Sequence, residues 1–244
     1  MGIKERGLRD VYKPGSGLAG IVSALAGADQ MVISDYPSPG VIANINVNVE
    51  KNVPEYIRNK NLNQHHTLRL GAVLEATKDP LKADAESPET VSHCGHKWGD
   101  LTDRLAQSHA QHFTRIIAAD CLWMVGEHES LVESMLHFLS RDEDAQVWVI
   151  AGFHTGRAKV AAFFDTAVDM GLEISKIYER DVEGHERAWA RERDRGREDV
   201  TERKRWLVVA ILKRKPSPTS EWRDSTATLA LPVESRYSTS TLVA

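Results

Sequence analysis

The chain is short of cysteine: its 244 residues hold two, Cys94 and Cys121. One lies in a polar stretch and the other ends an apolar run, which excludes a disulfide framework and fits a reduced, cytoplasmic setting. Neither sign of charge dominates, since 31 Lys and Arg face 35 Asp and Glu for a formal net charge of -4. A global attraction for nucleic acid or an anionic membrane is thereby excluded, and neither is an expected partner. No apolar run approaches membrane-spanning length. The N-terminus lacks an apolar signal core, and Arg6 stands where a myristoylation motif needs Ser or Thr. A Gly-x-Ser-x-Gly elbow is missing, which argues against a serine hydrolase. Internal repeats are absent too.

What is present is enough apolar residue, 41% of the chain, to bury a core of one α/β domain. Leu18, Ile21, Val22 and Leu25 have helical spacing, and Gly27 stops them before the apolar run Met31-Val32-Ile33. After the Pro37-Ser38-Pro39-Gly40 turn, Val41, Ile42, Ile45 and Val49 form the apolar face of a second helix, with Asn44 and Asn48 sharing another. Residues 50 to 97 are the least regular, with a strand candidate at Thr67 to Leu74 and an insertion loop reaching Ser92.

Order returns at Arg115 to Ala119, a buried-strand pattern ending in the carboxylate of Asp120, followed by a helix carrying Leu131, Met135, Leu136 and Leu139. Then come a strand at Gln146 to Ala151, a helix from Lys159 to Met170, and strands at Leu172 to Tyr178 and Trp206 to Leu212. This alternation predicts a mostly parallel sheet with helices on both faces. Residues 181 to 205 mix Arg with Asp and Glu so evenly that they read as a solvated helix or extended excursion. The domain is expected to span 1–215, and the Ser-, Thr- and Pro-rich tail 216–244 to be disordered.

Gly15-Ser16-Gly17-Leu18-Ala19-Gly20 opens the first helix, and Asp35 follows the next strand. Glycines let a backbone turn tightly and approach a cofactor, and a later carboxylate can hold a ribose hydroxyl. The same spacing fits a nicotinamide-dependent oxidoreductase, although Pro14 and Lys13 make a poor strand end. His93-Cys94-Gly95-His96 has no standard zinc spacing, so no metal is expected there. His154, just beyond a strand, is a candidate base with the surface histidine as its alternative.

Four segments in order carry a fuller likeness. They are Gly15-Ser16-Gly17-Leu18, then Ser34-Asp35-Tyr36-Pro37 with Asn44 and Asn48, then Trp98-Gly99, and last Ala119-Asp120-Cys121-Leu122-Trp123 followed by Glu127 to Leu131. On these the chain resembles methyltransferase family 16, the seven-stranded S-adenosylmethionine-dependent enzymes, and within it the fungal nicotinamide N-methyltransferase-like group that includes elongation-factor methyltransferases. The resemblance implies a Rossmann-like α/β fold with an antiparallel last strand. It implies S-adenosyl-L-methionine as cofactor, with Gly15 and Gly17 beneath its methionine part, Asp35 at the ribose, Trp98 at the adenine and Ala119 lining the pocket.

Asp120 would orient an incoming amine and Trp123 would form an aromatic wall, in the place of the family's Asp-x-x-Tyr tyrosine. The chain departs from the family before Gly15, where Val11 and Lys13 replace an acidic residue and a first glycine, so the first strand is missing or atypical. The acceptor implied is a protein lysine or N-terminus, or a small molecule such as a pyridine or secondary metabolite. A non-catalytic binding protein derived from a methyltransferase is the other alternative. Oligomeric state is not legible.

Overall fold

In a computed structural model of the chain, residues 16–28, 30–58, 91–216 and 240–243 are described. They fall into two units, residues 1–97 with Val243 and residues 98–242 with Ala244.

In the first unit, α1 (Leu18–Leu25) buries Ile21 and Ala24, three apart on one face. Strand β1 (Gln30–Asp35) is buried from Met31 through Ser34, the continuous run of a strand covered on both faces. Helix α2 (Pro39–Asn52) starts on a proline, whose fixed φ suits a first turn, and buries Val41, Ile45 and Val49. A single turn, α3 (Glu55–Arg58), follows. Strand β2 (Val91–Gly95) runs parallel to β1, with Val91 opposite Met31 and Gly95 opposite Asp35. Residues 91 and 92, assigned from sequence to an insertion loop, and His93-Cys94-Gly95 are therefore strand. Only Val91 is fully buried in it, so no apolar alternation marked it. The strand expected over 67–74 lies outside the described residues.

In the second unit, Asp103 caps the short helix α4 (Arg104–Ser108) by accepting the Ala106 N–H at 2.8 Å. Strands β3 (Arg115–Ala119) and β4 (Gln146–Gly152) are parallel, with Ala119 opposite Ile150. Helices α5 (His128–Phe138) and α6 (Arg157–Asp169) pack on each other, and α6 packs on β5 (Leu172–Asp181). A three-residue strand β6 (Glu186–Ala188) and a short helix α7 (Val200–Lys204) lead to β7 (Trp206–Arg214). Strand β8 (Ser240–Val243) ends the described chain. The order here is β8, β3, β4, β7, β5, β6, with β7 antiparallel to both β4 and β5. The fold is Rossmann-like α/β with helices flanking its strands; its antiparallel strand is β7, and β8 follows it as the last described strand.

Two expectations change. The tail is not disordered throughout, because all four residues of β8 are buried. The Ser240 carbonyl accepts from the Thr114 N–H at 3.1 Å and from Thr114 Oγ1 at 3.0 Å, and Ser240 Oγ donates to the His112 carbonyl at 2.8 Å. In the first unit Ser34 Oγ donates to the Val243 carbonyl at 3.0 Å. Four residues are too few to stand out from a polar, proline-containing context, which is why composition alone reads them as disorder.

The excursion over 181 to 205 is not one solvated helix; it begins extended, as its other reading allowed. It is an antiparallel β5–β6 hairpin, a 3-10 turn at Asp194–Gly196 and then α7, held by buried charge. Glu179 on β5 is 0% exposed and takes a bidentate pair from Arg157, at 2.6 and 2.9 Å. Arg187 Nε adds a hydrogen bond at 2.7 Å and Arg193 an ion pair at 3.2 Å. Arg157 also reaches Glu198 at 2.8 Å and the Ala190 carbonyl at 2.9 Å.

Burial pushes the Glu179 carboxyl up, but the hydrogen bonds from Arg157, Arg193 and Arg187 outweigh it and hold the group below its ordinary range. Glu198 is likewise held down, chiefly by Arg157. Removing one partner of such a network strands a charge in the interior, so Glu179→Ala should cost about 3–5 kcal/mol in urea melts. A carboxyl depressed in the folded state stabilises above its unfolded value, ordinarily 4.5 for Glu, and that stability fades as the pH falls through the folded value. Wild-type stability should therefore drop on acidification below that point, and Glu179→Gln should flatten the drop.

Candidate functional site

The first unit carries the glycine turn and one candidate carboxylate, Asp35. Gly17, at φ +68°, precedes α1, and a side chain in that left-handed conformation would be strained. A Cβ on Gly17 would lie 3.4 Å from Ile45 and 3.5 Å from Ile33, so the turn rests on α2 and β1 together. Gly20 lies closer still, since a Cβ there would stand 2.4 Å from Ile33 Cγ1. Asn48 Nδ2 donates to the Ser16 carbonyl at 3.0 Å and ties α2 to the turn. Sequence reasoning had marked Asn48 through its spacing from Asn44 and as part of the family resemblance, without this contact.

Asp35 is two residues beyond Ile33 on β1, and in a strand such residues share a face. Its carboxylate is thereby on the face of β1 that the glycine turn covers. Asp35 Oδ1 accepts the Tyr36 N–H at 2.7 Å, and the Asp35 carbonyl accepts from the His96 N–H at 2.8 Å. A glycine-containing turn beside a strand-end carboxylate fits a nucleoside-bearing cofactor. Gly15 lies outside the described residues.

The second unit carries the remaining candidates. Trp98 is half-buried, and the next N–H, of Gly99, donates to Ser134 Oγ on α5 at 2.9 Å. Ala119 ends β3, Asp120 follows it, and both are exposed. Asp120 has φ +56°, uncommon outside glycine, and its N–H donates to the Ile150 carbonyl at 2.7 Å. Cys121 and Leu122 are buried beneath the loop that follows. Buried His128, at the start of α5, donates from Nε2 to the Leu122 carbonyl at 2.9 Å, so the half-buried Trp123 stands on an anchored segment.

Sequence reasoning missed the covering of β4's end. Phe153 is fully buried, stacks on Trp189 with ring centroids 5.8 Å apart, and lies under the Arg157 guanidinium at 4.1 Å. The ion network around Glu179 thus packs an aromatic against the residue that precedes His154.

These strands, the glycine turn and the strand-end carboxylates define a Rossmann-like α/β protein. Its curated relatives are methyltransferases. The chain is 27% identical over 181 residues to the protein N-terminal and lysine N-methyltransferase of Emericella nidulans, covering 70% of this chain and 60% of the relative. The protein of the same name from Gibberella zeae is 29% identical over 174 residues, covering 68% and 56%, and that of Schizosaccharomyces pombe 27% over 171 residues, covering 68% and 54%. The chain thus spans less than two thirds of the length of these relatives. No protein-family model matches it. No helix among the described residues is long and apolar enough to cross a membrane.

The packing of Gly20 on Ile33 gives a direct test of the turn. Gly20→Ala forces a methyl into the buried Ile33 side chain and should destabilise by about 1–3 kcal/mol. Combined with Ile33→Ala, it should cost less than the sum of the two single changes in denaturant melts, because the colliding atoms are gone.

Proposed function

We propose that the chain is an S-adenosylmethionine-dependent methyltransferase whose acceptor is an amine nitrogen of a protein, on a lysine side chain or an N-terminus. The observation that carries this reading is the likeness, over about 70% of the chain, to relatives named protein N-terminal and lysine N-methyltransferases. The residues present suit the cofactor. Gly15 and Gly17 would let the backbone run beneath its amino-acid part, where a side chain would collide. Asp35 would accept the ribose hydroxyls, Trp98 would pack against the adenine, and Ala119 would line the pocket. When bound, the cofactor supplies an electrophilic methyl group on a sulfonium.

The protein's part is alignment and exclusion of water, and alignment of two reactants can be worth roughly 7–11 kcal/mol of barrier. Asp120 would hold the acceptor nitrogen by a charge-assisted hydrogen bond. Trp123 offers a π face to cationic character beside it. Both belong to the segment that ends β3 and continues into the His128-anchored loop.

Calorimetric titration of the full chain with S-adenosylmethionine, S-adenosylhomocysteine and NAD tests the reading. Binding of both S-adenosyl compounds is expected, weakened roughly tenfold to a hundredfold in Asp35→Ala by loss of a charged hydrogen bond. Binding of NAD alone would identify an oxidoreductase, and no binding by a folded chain would identify a non-catalytic protein. Methylation of small amines but of no peptide would overturn the protein acceptor.

A further inference from the structure

Asp120 and His154 meet over Gly152. Asp120 Oδ1 accepts the Gly152 N–H at 3.1 Å, and His154 Nδ1 stands 3.8 Å from the same oxygen. A Cβ on Gly152 would lie 3.2 Å from His154 Nδ1, 3.7 Å from Asp120 Oδ1 and 3.8 Å from Leu207 Cδ2. The glycine leaves the space that the two side chains use. Parallel pairing of β3 and β4 brings them together, because Ala119 lies opposite Ile150 and both strands end within two residues of that rung.

The Asp120 side chain is 64% exposed and that of His154 44%. Asp120 stands at φ +56° with its carboxylate accepting the Gly152 N–H and otherwise open to solvent, beside an accessible imidazole. The residue before His154 is held in place, since buried Phe153 packs on both Trp189 and the Arg157 guanidinium.

We propose that His154 is a further catalytic residue, which takes a proton from an acceptor ammonium held by the Asp120 carboxylate. The proposal rests on the amine-methylating reading, in which the acceptor must reach the methyl group with a lone pair. With the imidazole proton on Nε2, the lone pair is on Nδ1, the ring nitrogen that stands beside the Asp120 carboxylate. One N–H bond of the ammonium breaks, its proton bonds to Nδ1, and the nitrogen keeps the electron pair as a neutral amine. The resulting imidazolium faces the Asp120 carboxylate, which offsets its charge, and an exposed ring returns the proton to water. Leu207, across Gly152, is the apolar neighbour of the pair.

Two measurements on the full chain test this. In the 15N-labelled protein without cofactor, n-butylammonium chloride, a lysine side-chain probe, should displace the backbone amide resonances of Gly152 and His154, and Asp120→Asn should abolish the displacement. A wild-type protein whose resonances stay put overturns the proposal. In the second, methyl transfer from S-adenosylmethionine to n-butylamine should fall roughly 10²–10⁴-fold in kcat in His154→Gln, with KM within about twofold. Exogenous imidazole should restore part of the rate in His154→Ala. A kcat unchanged in His154→Gln, or a fall that imidazole does not relieve, overturns the base role. A chain that binds no S-adenosylmethionine overturns the methyl-transfer reading and the base role with it, and the amide displacement alone then decides whether the amine site exists.

Discussion

A carboxylate with no access to water needs partners that balance its charge, and that requirement at Glu179 organises much of the second unit. Three arginines meet it, from the start of α6, from β6 and from the residue before the 3-10 turn. Each comes from a different stretch of chain, so satisfying one buried charge fastens a hairpin, a turn and a helix end to β5. Apolar surface alone would not specify that arrangement, because few of the residues between 182 and 199 are apolar. The geometry also fixes Trp189 on Phe153, and so reaches the end of β4, where polar groups emerge into solvent.

Polar candidates gather at strand ends for a simple reason. Inside a buried strand every side chain must suit an apolar surrounding, whereas its last residue can carry a carboxylate that remains hydrated. Asp35 ends β1, and Asp120 follows β3 directly. In open α/β folds the carboxyl ends of parallel strands are where ligands bind. The two aspartates differ in backbone, since Asp35 completes its strand while Asp120 turns the chain away from β3 in the left-handed region.

The fold was legible wherever apolar residues run together. Met31 to Ile33, Arg115 to Ala119 and Gln146 to Ala151 could be read from such runs, although burial is continuous only along the first and alternates along the other two. Strand β2 could not, since its middle residues are half-buried and tolerate polar side chains. The excursion was opaque for a different reason. Nearly balanced charge describes a solvated helix and an interior network equally well, and only the position of Arg157 on α6 opposite Glu179 on β5 separates them. Of the candidate site, Gly17 and Asp35 were visible through spacing, and Asp120 through its place after an apolar run. The meeting of Asp120 with His154 was hidden, because it depends on the register of β3 against β4, and register is not written in either strand by itself.

Strand β8 has a kinetic consequence. Its contacts with Thr114 join residues 126 apart in sequence, and the loop-closure entropy of so distant a contact must be met before pairing returns anything. Nearer pairings, such as β5 with β6, can form long before it. During that interval the flank of β3 that Ser240 later occupies presents unsatisfied backbone groups, and such an edge is a template for pairing with other chains. The time that β8 takes to dock thus sets how long each newly folding molecule is exposed to self-association, and refolding yield should depend on protein concentration more steeply than the native state's own surface would suggest.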